Sequence, residues 1–119
     1  MHELSVAQAL VDELEALASQ HGAHAVARAV LRVGPLAGVV PELLQTAFPL
    51  AAAGSRAEAA ELEIEPSPVR VRCRACGAES EASPNRLLCP HCQAWQTELV
   101  SGDEMILASV EFLVEEKTS

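Results

Sequence analysis

Two pairs of cysteines carry the clearest chemical signal in this 119-residue chain. Cys73 and Cys76 form one Cys-x-x-Cys pair, Cys89 and Cys92 form another, and twelve residues separate the two pairs. Each pair can supply one edge of a tetrahedron, so four thiolates close a metal site that leaves no position for water or substrate. Soft thiolates in tetrahedral geometry favour zinc in a structural role.

The segment around these cysteines has too few large apolar residues to fold by itself. It contains Leu87 and Leu88, with Trp95 just beyond the second pair, so we expect a bound metal to supply the folding free energy. A thiol oxidoreductase is the alternative, because Cys-Pro-His-Cys also occurs in such enzymes. Only 27 residues follow Cys92, too few for a thioredoxin fold, and the first cysteine pair would remain unexplained. His91 is expected to face solvent.

The amino terminus offers a second possible metal site. The α-amine of Met1 and the amide and imidazole nitrogens of His2 can form linked chelate rings around one ion, and the main-chain amide of Glu3 can fill a fourth in-plane position. Square-planar nitrogen ligation favours Ni(II) or Cu(II) over zinc. A solvated histidine beside a start methionine is the competing interpretation, and these residues alone do not decide between the two.

Other candidate groups have simpler interpretations. His21 and His24 are predicted to be surface histidines at a helix end, because no carboxylate or thiol completes a ligand set. The other group is a row of arginines on one face of an alternating strand, at Arg70, Arg72 and Arg74. We expect a solvated strand face there, with docking of an acidic partner as its alternative use.

Charge and composition limit the possible partners. Seventeen acidic and eight basic residues give a net charge of −9, and the only aromatic residues are Phe48, Trp95 and Phe112. Residues 70–98 carry four arginines and three acids (4 − 3 = +1), and the rest of the chain carries four bases and fourteen acids (4 − 14 = −10). Such a chain repels phosphate backbones and anionic membranes.

No catalytic set or targeting segment is recognisable in the sequence. There is no phosphate-binding glycine loop, no His-Glu-x-x-His motif, and no apolar run as long as a membrane span. We therefore expect a cytoplasmic binding protein that contacts neither nucleic acid nor membrane, and not an enzyme.

Hydrophobic periodicity predicts the elements that position these residues. A capping-box pattern at Ser5 and Gln8 predicts a helix over 5–20. Pro41 is expected to open a second helix that Pro49 ends or kinks near residue 48. The predicted strands cover residues 25–33, 62–65, 69–74, 97–100 and 105–114.

The sequence resembles the HypA/HybF family of hydrogenase-maturation nickel-insertion proteins. The resemblance is carried by Met1-His2-Glu3, Val33-Gly34-Pro35-Leu36-Ala37-Gly38-Val39, Glu42-Leu43-Leu44, Leu62-Glu63-Ile64, the two cysteine pairs with Gly77 and Pro90, and Gly102-Asp103-Glu104-Met105. One departure is Gln93, which stands where zinc knuckles often carry glycine for a left-handed turn.

The resemblance implies an α+β fold in which a small mixed α/β nickel domain, with two helices on a three-stranded sheet, contains an inserted zinc ribbon. The nickel domain would comprise residues 1–69 and 99–119, and the ribbon residues 70–98. His2, with main-chain nitrogens of Met1 to Glu3, would hold nickel. Zinc would be held by Cys73, Cys76, Cys89 and Cys92.

The resemblance also implies a metallochaperone that delivers Ni(II) to the large subunit of [NiFe]-hydrogenase and cooperates with a GTPase of the same pathway. We expect a monomer or a weak homodimer. A zinc-ribbon regulator that binds nucleic acid is the alternative function, against which the charge of −9 and the scarcity of aromatic residues both count.

Overall fold

A computed structural model describes residues 3–114 of the chain. The described residues form two helices and six strands. In chain order these are α1 (Glu3–Gln20), β1 (Ala25–Val33), α2 (Pro41–Ala52), β2 (Glu61–Pro66), β3 (Arg70–Cys73), β4 (Glu79–Glu81), β5 (Thr97–Ser101) and β6 (Met105–Leu113). Two helices and a three-stranded sheet, accompanied by a second small sheet, confirm the predicted α+β class.

The described chain divides into two compact units. The first holds residues 3–31, 39–64 and 107–114, and the second holds Arg32–Gly38 and Glu65–Ile106. The second unit thus includes the 70–98 segment expected to form a ribbon, and adds flanking residues together with the Gly34-Pro35 turn. Which metal each part of the chain binds stays a prediction.

The first unit is built around the apolar stripe of α1. Ala7, Leu10 and Leu14 are buried along this helix, at the spacing that places side chains on one helical face. Leu44 and Phe48 of α2 are buried as well, and the two helices pack against each other. Removing these apolar surfaces from water is the main stabilising contribution in this unit.

Both helices extend further than predicted. α1 begins at Glu3 rather than Ser5, so the capping box predicted at Ser5 was wrong. An acidic residue in the first turn is favourable there because of the helix dipole. α2 continues past Pro49 to Ala52, although Pro49 lacks the N–H that would bond to the preceding turn. Ala51 and Ala52 are buried, and their packing offsets that missing hydrogen bond.

The first sheet has the strand order β2–β1–β6. The His24 N–H donates to the Leu113 carbonyl over 3.0 Å, which places the start of β1 beside the end of β6 and makes this pair antiparallel. α2 connects β1 to β2, as a crossover connects parallel strands. Arg28 of β1 forms ion pairs with Glu63 of β2 and, at 3.8 Å, with Glu111 of β6.

The second sheet has the order β4–β3–β5, and both of its strand pairs are antiparallel. Val71 and Cys73 are buried while Arg72 is exposed, as the predicted alternation requires. β4 was not predicted, because a three-residue strand is too short to show a period. Arg70 and Arg72 both pair with Glu79 of β4, at 3.6 and 3.1 Å.

Within the second unit, the backbone at Gly34 approaches the backbone at Gly102 closely. The Leu36 N–H donates to the Gly102 carbonyl over 2.7 Å, and the Gly34 N–H donates to the Glu104 carbonyl over 2.9 Å. A Cβ atom at Gly34 would overlap the Gly102 carbonyl, so only glycine fits at this position. Among residues 3–114, no helix has both the length and the apolar character needed to cross a membrane.

Candidate functional site

The four cysteines of the second unit come together at one point. The Sγ atoms of Cys73 and Cys92 lie 3.5 Å apart, those of Cys76 and Cys89 lie 3.6 Å apart, and all four lie within 4.8 Å of one another. Thiolates about 2.3 Å from a central ion form a tetrahedron with edges of about 3.8 Å. The four sulfurs therefore fit a tetrahedral metal ion.

Each cysteine pair lies on a tight turn, and the two turns have matching hydrogen bonds. In the first, the Cys73 N–H donates to the Ala78 carbonyl and the Gly77 N–H to the Cys73 carbonyl, over 2.8 and 2.9 Å. In the second, the Cys89 N–H donates to the Ala94 carbonyl and the Gln93 N–H to the Cys89 carbonyl, over 3.1 and 2.7 Å.

The residue that closes each turn has a left-handed backbone. Gly77 has φ +78° and Gln93 has φ +61°, so Gln93 performs the conformational role that glycine has in the first turn. Asparagine, aspartate and glycine adopt this region more readily than glutamine does. The departure noted in the sequence at residue 93 thus leaves the turn geometry intact.

Hydrogen bonds within each turn separate the four thiols into two kinds. The Cys76 N–H, together with that of Ala75, donates to the Cys73 sulfur over 3.3 Å, and the Cys76 contact contributes most to lowering the pKa of Cys73 to about 6. The Cys92 N–H likewise lowers the pKa of Cys89. Donation from backbone amides favours the charged thiolate.

The second cysteine of each pair shifts in the opposite direction. A hydrogen bond from the Ala94 amide acts to lower the pKa of Cys92. The hydrogen bond with the Cys73 sulfur and burial of the thiol act in the opposite direction and outweigh it, so the pKa of Cys92 rises to about 12. At Cys76 the Ala78 amide is similarly outweighed by thiol hydrogen bonds, so the pKa rises. Four sulfurs this close do not all ionise unless a cation balances their charge.

Burial supports a structural role for this site. Cys73 and Cys89 are each 1% exposed, while Cys76 and Cys92 lie on the surface of the unit. Trp95 is one of the few large apolar residues of this segment, and its side chain is 75% exposed. The exposure of this large side chain leaves few apolar contacts near the cysteines, and the four sulfurs could hold a metal ion that joins the two turns.

The expected ligands at the amino terminus are only partly described. Met1 and His2 lie outside the described residues. Glu3 is the first residue of α1, its side chain is buried, and its Oε2 accepts the Val40 N–H over 3.2 Å. Sequence reasoning missed this contact, because 37 residues separate its two partners.

The other histidines do not gather into a metal site. Among residues 3–114, the four cysteines are the only group of three or more side chains placed to share an ion. His21 stacks on Phe112 with ring centroids 4.8 Å apart, and its Nδ1 lies 2.9 Å from the Leu17 carbonyl. His24 and His91 are exposed. This arrangement agrees with the predicted surface roles of these histidines.

The arginine row provides little free positive charge for nucleic acid. Glu79 pairs with both Arg70 and Arg72, which leaves Arg74 and Arg86 without an ion pair among the described residues. Such surface pairs contribute little to stability, but they neutralise charge that phosphate contacts would require.

The chain is similar to known proteins over nearly its whole length, including the four cysteines. A family model described as hydrogenase/urease nickel incorporation, metallochaperone, HypA matches residues 1–112. Hydrogenase maturation factor HypA from Nitrosospira multiformis is 46% identical over 113 residues, which cover 95% of this chain and 98% of that protein. The corresponding Aquifex aeolicus protein is 39% identical, with 97% and 100% covered.

A solved structure shares the fold as well. The solution structure of the Ni metallochaperone HypA from Helicobacter pylori has a TM-score of 0.72 and 28% identity, and the match covers 97% of this chain and 100% of that one. The matched length includes the four-cysteine centre and both helices. The chain therefore belongs to the HypA family of hydrogenase maturation factors, which are nickel metallochaperones and not enzymes.

Proposed function

We propose that this protein carries Ni(II) at its amino terminus and passes it directly to the large subunit of [NiFe]-hydrogenase. The α-amine of Met1, the amide and imidazole nitrogens of His2 and the main-chain nitrogen of Glu3 would bind the ion. Membership of a nickel-incorporation family supports nickel as the cargo. An all-nitrogen, square-planar set is one that Ni(II) favours and zinc does not.

The observation that carries this proposal is the position of Glu3 at the first residue of α1. The main-chain nitrogen of Glu3 therefore lies at the amino-terminal end of α1, and in sequence it directly follows the other nitrogens of the proposed ligand set. The positive end of the helix dipole also lies here, and ionised amide ligands would offset both that dipole and the charge of the ion.

The four-cysteine centre would hold zinc as a permanent structural ion, separate from the nickel cargo. Its sulfur spacing fits a tetrahedral ion, and thiolates are the ligands that structural zinc sites use. Four protein ligands leave no open position, so this centre would stabilise the second unit without exchanging its metal during nickel delivery.

Delivery by ligand exchange requires direct contact with the receiving protein and with the maturation GTPase. Three large apolar side chains near the starts of α1 and α2 are about half exposed. They are Leu4 at 47%, Val40 at 45% and Leu43 at 50%. Apolar side chains at the centre of an interface contribute strongly to binding, so these residues support a docking surface beside the proposed nickel ligands.

Acidic residues of α1 would guide that contact. Asp12 and Glu13 are exposed, whereas Glu15 pairs with Arg56 at 3.3 Å. Replacing Asp12 and Glu13 by asparagine and glutamine should slow association with the GTPase and flatten its dependence on ionic strength. The control is Glu15→Gln, whose charge already has a partner. Equal salt dependence in the wild type and the double variant would remove the acidic face from the interface.

The nickel site itself is tested by calorimetry on untagged protein. A short peptide placed before Met1 converts the α-amine into an amide, and His2→Ala removes the imidazole. Both changes should abolish tight nickel binding while zinc content and helical content are retained. Equal nickel affinity in all three proteins would place the site elsewhere. A DNA retention assay at low salt, expected to be negative, tests the nucleic-acid alternative in the same samples.

A further inference from the structure

Strand β6 lies at an edge of the first sheet. β1 borders it on one side, and no strand between residues 3 and 114 borders it on the other. Five of the nine β1 residues are buried, whereas none of the nine β6 residues is. Yet five of the seven residues from Leu107 to Leu113 are apolar, and apolar strand residues are ordinarily covered on at least one face. β6 therefore keeps hydrophobic surface in contact with solvent.

The backbone of β6 presents hydrogen-bonding groups to this open edge. The Leu113 carbonyl accepts the His24 N–H, so the main chain at Leu113 faces β1. Because the N–H and C=O groups of successive strand residues point to opposite sides, those of Ala108, Val110 and Phe112 face the open edge. Lysine and proline commonly block such an edge, but residues 105–113 contain neither. The edge is therefore suited to pairing with another strand.

We propose that this edge pairs with β6 of a second copy of the protein, antiparallel, about a two-fold axis at Val110. In this register the two Val110 residues face each other and exchange main-chain hydrogen bonds. Ala108 lies opposite Phe112 of the second copy, so a small side chain faces a large one. Leu107 lies opposite Leu113, which is 48% exposed. The two three-stranded sheets thereby become one sheet of six strands with a self-complementary interface.

The one charged side chain of the strand selects this register. Glu111 is the only ionisable residue from 105 to 113, and its side chain is 63% exposed, 3.8 Å from the Arg28 guanidinium. With the axis at Val110, Glu111 lies opposite Ser109 of the second copy, whose hydroxyl can donate to the carboxylate. An axis at Glu111 would bring two carboxylates face to face. An axis at Ser109 would place each carboxylate against the apolar Leu107.

Net charge limits the strength of this association. Each copy carries a charge of −9, so two copies repel each other at long range, and added salt weakens that repulsion. The hydrogen bonds and apolar contacts of the paired edges act at short range and are little affected by salt. We therefore expect a weak dimer whose dissociation constant falls as ionic strength rises. This pairing does not depend on the proposed nickel site.

Sedimentation equilibrium of untagged, zinc-loaded protein, at several protein concentrations and at low and high salt, tests the pairing. Ser109 is exposed, so a charge can be introduced there without disturbing the core. Ser109→Glu places a carboxylate opposite Glu111 of the second copy at two symmetric positions and should raise the dissociation constant by about tenfold. Ser109→Lys places an ammonium group there instead and should leave the dissociation constant unchanged or lower it.

Two further variants control for net charge and for the use of this edge. Ser5→Glu adds the same charge to an exposed residue of α1 and should change the dissociation constant by less than about twofold. Ala108→Pro removes an N–H that faces the open edge, where strands tolerate proline, and should weaken the dimer by about tenfold. Circular dichroism and zinc content should match the wild type in every variant. If Ala108→Pro lost its structure, the two Ser109 variants would decide alone.

The contrary outcomes are distinct. A wild type that stays monomeric at every protein and salt concentration would overturn the proposal. A dimer that persists in Ser109→Glu and Ala108→Pro would use another surface and would overturn it as well. Equal weakening by Ser109→Glu and Ser109→Lys would overturn the register about Val110. A monomeric wild type whose binding to the maturation GTPase is weakened by Ala108→Pro would assign this edge to another protein instead of a second copy.

Discussion

Gln93 closes the second cysteine turn in the same left-handed conformation that Gly77 adopts in the first, with φ +61° against +78°. Both residues donate an N–H to the carbonyl of the first cysteine of their pair. The second turn therefore holds a side chain in a region where a Cβ atom is unfavourable, although the hydrogen bonding of the two turns is alike.

This difference predicts opposite effects for two exchanges. Gln93→Gly should stabilise the metal-loaded protein by roughly 0.5–1 kcal/mol, because relief of backbone strain exceeds the added entropy of the unfolded chain. Gly77→Gln should destabilise it by about 1 kcal/mol for the same reason. Denaturant unfolding of zinc-loaded protein measures both. Destabilisation by Gln93→Gly would mean that the glutamine side chain makes a stabilising contact that exceeds the strain.

Loss of the metal should unfold the second unit and spare the first. Cys73→Ala removes one of the two most buried ligands, and the few apolar residues around the cysteines cannot hold the two turns together without it. We expect zinc content to fall while the circular dichroism of α1 and α2 is largely retained. The control is His91→Ala, which changes an exposed residue of the second cysteine turn and should leave the zinc content unchanged. Melting of both helices in Cys73→Ala would show that the units depend on each other.

Zinc binding should release protons and weaken in acid. At pH 7 the Cys73 thiol, with its pKa lowered to about 6, is already largely ionised. The pKa values of Cys76 and Cys92 are raised, the latter to about 12, so both thiols are protonated and must lose a proton when the metal binds. With at least these two protons competing with the metal, zinc affinity should fall by roughly 100-fold or more for each pH unit of acidification between about 7 and 8.

Calorimetry in buffers with different ionisation enthalpies measures this proton release directly. Zinc affinity that did not change with pH would mean that all four sulfurs are ionised before the metal arrives, contrary to the opposite shifts within each pair.

The close approach of Gly34 and Gly102 predicts a large cost for one added methyl group. Gly34→Ala would place its Cβ atom against the Gly102 carbonyl, and backbone cannot move aside as a flexible side chain can. We expect destabilisation of about 3 kcal/mol or more. The control is Gly22→Ala, where φ is +64° but no atom lies within 4 Å of the added group, and about 1 kcal/mol of backbone strain is expected. Similar unfolding midpoints for the two variants would contradict this explanation.

Local patterns in the sequence determined the four-cysteine cluster and most of the helices and strands. The spacing of the cysteine pairs limits each to a tight turn, and four thiolates suit only a few ions, so the four-sulfur cluster could be predicted without a fold. Alternation predicted the strand over 25–33, which β1 (Ala25–Val33) matches. The motifs from Met1 to Met105 also indicated the family to which the chain belongs.

Contacts between distant parts of the chain were decided by the tertiary structure alone. α2 continues beyond Pro49, and the residues that follow, Ala51 and Ala52, are buried. Local helix propensity predicts an end at the proline because it takes no account of this packing. The contact of Glu3 with Val40 joins residues 37 positions apart, and Gly34 approaches Gly102 across an even longer separation. Hydrophobic periodicity reflects residues that are close in sequence, whereas these contacts depend on how whole helices and strands pack. That packing determines which acidic residue of α1 is buried beside the proposed nickel ligands.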